Sequence, residues 1–210
     1  MPIPSLDRVD HVHVYVADRA ASEAWYAQVL GLTRVAELAF WASDGGPLTL
    51  GAIPGEERPR LACAACGHIN YVNPRLVTTA IPITDRGEVV LLRRGLEPGR
   101  GLWAQPGGFL EVDETVTEAA IRETFEETGL VVVPGEIIGL YSRLEAAVVV
   151  VAFEALVTGG SFRPNTEALE IVAFRPEEIP WPGVAFATSR WAIHDWIRRR
   201  HPDLPLPDMR

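Results

Sequence analysis

The sequence predicts an α/β chain in which strands and two helices form one domain over residues 76–210, preceded by a small β-α-β-β unit at 1–54. Three observations carry this reading. Ala146–Leu156, A-A-V-V-V-V-A-F-E-A-L, is the most hydrophobic strand signal in the chain and is expected at the centre of a sheet. Residues 116–128 have the start and stop signals of an amphipathic helix. Val9–Val16, V-D-H-V-H-V-Y-V, alternates apolar and polar residues with the period of a half-buried strand.

Length and composition bound the function. The chain has 210 residues, a hydrophobic content of 48% and a formal net charge of -9, enough apolar mass for a buried core and the wrong sign for a nucleic acid or an anionic membrane. No apolar run reaches the roughly 18 residues of a membrane span, and M-P-I-P-S-L-D-R lacks the regions of a signal peptide, so a cytoplasmic location is expected. The two cysteines, Cys63 and Cys66, are separated by two residues, which suggests a reduced or metal-binding pair rather than a disulfide framework.

In the N-terminal unit, Asp18 reads as a helix N-cap, Ala20–Leu30 as a helix stopped by Gly31, and Val35–Ala42 and Leu48–Ile53 as two strands joined through Ser43-Asp44-Gly45-Gly46. Residues 55–75 read as a linker, beginning Pro54-Gly55-Glu56-Glu57-Arg58-Pro59-Arg60, and a knuckle turn, Cys63-Ala64-Ala65-Cys66-Gly67-His68. Leu76–Thr84 and Glu88–Arg93 are apolar runs around Asp85-Arg86-Gly87, hence a hairpin. The loop from Arg94 to Gln105 follows and includes Trp103, a ring able to stack on a base or to pack in the core.

Thr115 and Glu118 form an S/T-x-x-E capping box, so the next helix starts at Val116. Gly129 suits the left-handed position that ends it, with Leu130 able to pack back on Phe125. Glu123, Glu126 and Glu127 are spaced i, i+3, i+4 and project from one side, while Ile121, Phe125 and Thr128, with Ala120 and Thr124 nearby, are expected to dock on the sheet. Three like charges on one ridge call for a cation, and carboxylate oxygens suit a hard divalent ion such as Mg²⁺ or Mn²⁺, which takes substrate phosphates as further ligands. Beyond the helix, Val131–Val133, Glu136–Tyr141 and Ile171–Phe174 give strand signals. Ala187–Arg200 reads as a final helix with Trp191, Ala192 and Trp196 available for docking and Arg198-Arg199-Arg200 at its negative dipole end.

Gly108, five residues, Glu114, seven residues and then R-E-T-F-E-E-T-G-L at 122–130 resemble the Nudix box, G-x5-E-x7-R-E-U-x-E-E-x-G-U with U apolar. Thr124 stands where an aliphatic residue is usual. The resemblance implies an α/β/α sandwich with a mixed sheet and a metal-dependent hydrolase acting by water attack at the phosphorus of X-p-p-nucleoside. Mapped by position, it makes Glu123, Glu126, Glu127 and the Gly107 carbonyl the Mg²⁺ ligands. Arg122 would orient a box glutamate through a bidentate pair, and Glu114 would be structural or a partner of a ligand rather than a ligand itself. Gly107 and Gly108 would let backbone approach the phosphates, and Arg94 and Trp103 are expected on the substrate side. Glu167 and Glu170, in a loop before a strand, are candidates for the general base.

Two further resemblances shape the ends of this reading. L-D-H-V-H-V-Y-V-A-D, W-Y-A-Q-V-L-G-L and L-A-F-W-A-S-D-G-G resemble the start of a glyoxalase/bleomycin-resistance module, but the last strand and its metal ligand have no counterpart, so homodimerisation or regulation is expected of it rather than chemistry. C-A-A-C-G-H-I-N-Y-V-N-P at 63–74, with N-P-R-L-V, the P-G-G-F-L-E box entry and E-A-L-E-I-V-A-F, is similar to the Nudix subgroup that includes FAD and ADP-ribose pyrophosphatases. In that subgroup a second cysteine pair completes a zinc ribbon; here only Cys63 and Cys66 are present, with His68 available as a third ligand, so the alternatives are a zinc site and a vestigial turn with free thiols. A small nucleotide derivative is the expected partner. Two other accounts are a non-catalytic nucleotide-sensing module and a metal-dependent lyase or dioxygenase run by the N-terminal unit.

Overall fold

The computed structural model describes residues 48–63 and 67–208. Most of the β-α-β-β unit expected at 1–54, including its histidines and its resemblance to a glyoxalase module, lies outside these residues, as does Cys66. The chain divides into two compact units, Met1–Tyr71 and Val72–Arg210.

In the first unit, β1 (Leu48–Gly51) pairs antiparallel with β2 (Arg60–Cys63), and β2 pairs with β3 (Ile69–Asn70). Pro54–Arg60, expected as an interdomain linker, is the connection between β1 and β2. Its charges mislead because they are used internally: Glu56 accepts from Arg60 Nε at 3.0 Å and from the Tyr71 hydroxyl at 2.7 Å, and the Arg60 guanidinium lies 5.2 Å from the Tyr71 ring centre. The knuckle is closed by backbone bonds from Gly67 N–H to Cys63 O and from Cys63 N–H to His68 O, with Gly67 at φ +73°, where a side chain is disfavoured.

The second unit is built on one mixed sheet. Its order is β10 (Ala168–Phe174), β5 (Val89–Arg94), β4 (Arg75–Ile83), β9 (Val148–Gly160), β8 (Leu130–Arg143), with β6 (Trp103–Ala104) on β5 and β7 (Gly107–Phe109) on β4. Only β4 and β9 run parallel; the other pairings are antiparallel. The hydrophobic run around Val148–Leu156 is therefore interior, flanked on both sides, with β4 at the middle. β8, expected as two segments, is one strand whose register shifts around Pro134–Gly139, because Pro134 has no N–H for the ladder.

Strand alternation separates two cores. On one face Ala80, Val90, Leu92, Val151, Phe153 and Ala155 pack with Ala120 of helix α1 (Val116–Thr128). On the other, Ile81, Val89, Leu91 and Ala152 pack with Ala192, Ile193, Trp196 and Ile197 of helix α2 (Ala187–Arg200). Period-two strands between two helices give the three-layer α/β/α arrangement.

The capping box of α1 is present, with Glu118 N–H to Thr115 Oγ1 and Thr115 N–H to Glu118 Oε2, and Gly129 ends the helix at φ +75° with its N–H on Phe125 O. Its docking stripe differs from the expected one. Ala119, Ala120, Thr124 and Thr128 are buried, whereas Phe125 is 47% exposed and Leu130 enters the sheet core instead of packing on it. Small side chains let the helix approach the sheet closely, and the two hydroxyls are satisfied inside it, Thr124 on Ala120 O and Thr128 on Thr124 O. Thr124 is thus accommodated where an aliphatic residue is usual.

On α2, the terminal arginines serve the fold. Arg199 donates to the carbonyls of Ile137 and Ile138 where β8 breaks register, and Arg200 pairs with Glu154, which also accepts from Trp196 Nε1 at 2.6 Å. Among the described residues no helix is long and apolar enough to cross a membrane.

Candidate active site

The site forms where β7 meets α1. Gly107 and Gly108 pair with Thr79 and Thr78 of the middle strand, so the turn lies flat between sheet and helix. A Cβ on Gly107 would come within 2.3 Å of Thr78 O, and one on Gly108 within 2.3 Å of the Glu123 carboxylate. At Gly107 the obstacle is backbone and no other residue fits, whereas at Gly108 it is the end of a movable side chain.

The three helix carboxylates sit in graded environments. Glu126 is outermost, with a side chain 58% exposed; that of Glu123 is 16% exposed; Glu127 as a whole residue is 8% exposed. Glu127 Oε2 accepts the Gly107 N–H at 2.8 Å. Burial is the largest influence on its acidity, and the Gly107 bond and Arg94 oppose it only partly, while Glu123 and Glu167 add to it; the carboxyl is pushed up to about 7. Burial also raises Glu123, against the pull of Arg122.

Arg122 organises the rest. Its Nε and NH2 fork onto both oxygens of Glu114 at 2.9 and 2.6 Å, its NH1 reaches Glu123 at 2.7 Å and Glu126 at 3.3 Å, and its NH2 also donates to Phe109 O. The bidentate partner is therefore Glu114, at the start of the motif, and Glu123 is held by a single bond. Glu114 also accepts the Glu111 N–H, and with the Arg122 bonds this lowers its carboxyl to about 2. It is committed as an anionic strut joining the loop to the helix.

The flanking loops separate the two base candidates. Glu167 adds the smallest of the influences that raise Glu127, and its backbone carbonyl accepts from Gly95 N–H at 2.7 Å. Glu170 instead pairs with Arg93 at 3.3 Å, on the opposite strand of β10–β5. Arg93 lies over the ring of Trp103, which belongs to the α2 side, so Glu170 is turned away from the acidic ridge. Trp103 is half-buried and packs edge-on against Phe174 at 5.1 Å and close to Gly183, so part of its ring is taken up by the α2-side core. Arg94 faces the site electrostatically through Glu127, while its guanidinium stacks 4.9 Å from Phe186 and donates to Pro98 O. Asn165, Gly95 and the short strand β7 were not singled out from sequence. Asn-Thr-Glu before a strand is an Asx-turn signal that marks the first.

The donor set fits a hard divalent cation. Carboxylate oxygens lie beside the glycine turn, and no arginine bonds the buried Glu127, whose charge the Gly107 N–H and Arg94 offset only in part, so a cation would relieve it. Among the described residues no three His, Cys, Asp or Glu side chains converge on one point: as they stand, Arg122 holds Glu123 and Gly107 holds Glu127.

Among the described residues no group of three metal-ligating side chains forms at the knuckle. A structural zinc takes four protein ligands. The chain has two cysteines in all, and the strand facing Cys63 begins Leu48-Thr49-Leu50, preceded by Ala42-Ser43-Asp44-Gly45-Gly46-Pro47 with no thiolate.

Comparison with known proteins agrees with this geometry. Residues 73–194 match the NUDIX domain model, and residues 45–72 match the model described as Nudix N-terminal, a zinc-ribbon segment that takes in β1 as well as the knuckle. The ADP-ribose pyrophosphatase of Methanocaldococcus jannaschii is 33% identical over 132 residues, 61% of this chain and 76% of that protein. The NAD-capped RNA hydrolase NudC of Stutzerimonas stutzeri is 29% identical over 185 residues, 87% of this chain, which spans 64% of that relative's length. Among solved structures, a NUDIX hydrolase from Nitrosomonas europaea superposes with a TM-score of 0.72 at 33% identity, covering 80% of this chain and 94% of that one. With a complete box on the helix and the family's fold around it, the chain belongs to the Nudix family of hydrolases.

Proposed function

We infer that the protein hydrolyses a nucleoside diphosphate derivative, X-p-p-nucleoside, with Mg²⁺ or Mn²⁺ held by Glu123, Glu126, Glu127 and the Gly107 carbonyl. The observation that carries this reading is the buried, charge-strained Glu127 bonded to the Gly107 amide beside Glu123. When bound, the divalent ion would neutralise phosphate oxygens and acidify the attacking water. The chain's own residues do the rest. Glu127 must shed its proton to serve as a ligand, and Arg122 keeps Glu123 turned toward the glycine turn. Glu167 accepts the proton of the attacking water, and Arg94 lies where it can meet the anionic substrate. Glu170, paired with Arg93, is set aside as the base.

ADP-ribose is the first substrate to try, because the relative from M. jannaschii carries that activity in its name, followed by FAD, NADH and NAD-capped RNA, diadenosine polyphosphates and 8-oxo-dGTP. The test is Mg²⁺-dependent release of nucleoside monophosphate from this panel, lost in Glu127→Gln. Full activity in that variant would sink the mechanism. A homodimer, with residues 1–54 pairing between chains, belongs to the same reading; a monomer by analytical ultracentrifugation would remove it.

A further inference from the structure

The loop 161–168 is tied to the end of α1 by more bonds than a connecting loop needs. Arg163 N–H donates to Thr128 O at 2.9 Å and Ser161 N–H to Gly129 O. Asn165 then uses both ends of its side-chain amide. Its Nδ2 donates at 2.9 Å to the carbonyl of Glu126, one of the last-turn carbonyls that a helix leaves without a partner. Its Oδ1 accepts from the N–H groups of Glu167 and Ala168, each at 2.8 Å. One side chain thus joins the helix turn that carries Glu126 and Glu127 to the backbone that carries Glu167.

A second contact closes the same segment from the strand side. The buried Gly95, next to Arg94 at the end of β5, donates its N–H to Glu167 O at 2.7 Å. It packs so tightly that a Cβ would lie 1.9 Å from Thr166 O and 3.2 Å from Glu167 C. Any side chain there must displace the Thr166–Glu167 peptide. Both contacts hold the backbone of Glu167 against the helix turn that carries Glu126 and Glu127, although 40 positions separate Glu127 and Glu167 in sequence.

We propose that Asn165 and Gly95 are positioning residues that fix Glu167 beside Glu127 for proton transfer. The proposal rests on Glu167 being the base, and it goes beyond that reading by naming what makes an exposed loop carboxylate precise. An amide is required at 165 because the site needs a donor toward the helix carbonyl and an acceptor toward two N–H groups from one short side chain. Glycine is required at 95 because the loop backbone occupies the space of a Cβ.

The experiment is a double-mutant cycle, using the diphosphate of the panel above that the protein turns over fastest at saturating Mg²⁺. Asn165→Ala is expected to lower kcat about 10- to 100-fold while KM changes by about twofold or less, the scale of losing an orienting partner. Introduced into Glu167→Gln, the same change is expected to cost about twofold or less, because its effect passes through the carboxylate. Gly95→Ala repeats the cycle from the opposite side of the loop, and a thermal melt of each variant reports folding. A residue that merely caps α1 would lower kcat by the same factor in both backgrounds, and that additivity overturns the proposal. Glu167→Gln with unaltered kcat overturns it as well, while Glu127→Gln still tests hydrolysis separately.

Discussion

The Gly107 amide donates to Glu127 Oε2 at 2.8 Å, and the carboxylate so held is 8% exposed with its acidity shifted to about 7. Because this value lies above the ordinary 4.5, the folded state binds the proton more tightly than the unfolded chain does. The stabilisation is fully present below about 4.5 and is lost as pH rises toward about 7, with a magnitude of roughly a few kcal/mol at most. In EDTA, Tm is expected to fall between pH 5 and 7.5, and the fall to shrink in Glu127→Gln. Mg²⁺ should raise Tm at pH 7.5 in the native sequence and much less in the variant. Differential scanning fluorimetry decides it: a native-sequence Tm equally flat across this window contradicts the uncompensated charge.

Arg122 connects four acceptors with one planar guanidinium, and a lysine cannot reproduce its fork on Glu114 while also reaching Glu123. Arg122→Lys is expected to lower kcat/KM about 10- to 100-fold and to raise the Mg²⁺ concentration needed for half-maximal rate. Glu114→Gln, which keeps the shape and loses the charge, should cost less. Mg²⁺ titrations of initial rate separate the two, and equal Mg²⁺ dependence in all three proteins would show that Arg122 does not orient the ridge.

At Gly108 a single methyl group collides with a carboxylate rather than with backbone, the predicted contact to Glu123 being 2.3 Å. The fold can yield by turning Glu123 away, so Gly108→Ala should leave Tm within a few degrees while lowering kcat about 100-fold, as loss of an electrostatic group in the reacting site does. Circular dichroism together with kinetics checks this dissociation. Parallel loss of folding and activity would mean that the turn is rigid and the effect structural.

How much of this was legible in sequence depends on the range of the interactions. The capping box at Thr115 and Glu118, the Gly129 stop and the i, i+3, i+4 ridge are local, and each stands where the sequence puts it. The hairpin of β4 and β5 and the final helix follow from apolar runs and periodicity in the same way. What sequence alone could not resolve was set by neighbours distant along the chain. Phe125 lies in the apolar pattern of α1 but faces outward, because the helix sits on the sheet through Ala120, Thr124 and Thr128. Glu167 and Glu170 are equivalent in a sequence window and divide only once β10 pairs with β5 and offers Arg93 to one of them. Pro54–Arg60 has the composition of a linker, and its closure needs Tyr71.

That last closure leads to a prediction about the N-terminal segment. A zinc ribbon would be stapled by metal, yet this one has two cysteines, and Cys63 is 3% exposed at the end of β2. In place of a complete ligand set, Glu56 bonds Arg60 and Tyr71, and the Tyr71 hydroxyl bond, with that of Arg60, holds its carboxyl below the usual carboxylate range. Purified protein is expected to hold well under one zinc per chain by elemental analysis. Cys66→Ser should leave trypsin resistance at the Arg60–Leu61 bond unaltered, whereas Tyr71→Phe, which removes the hydroxyl donor to Glu56, should speed cleavage there. Zinc retained at one per chain after dialysis, with cleavage accelerated by Cys66→Ser, would instead make the metal the staple and identify further ligands to be found.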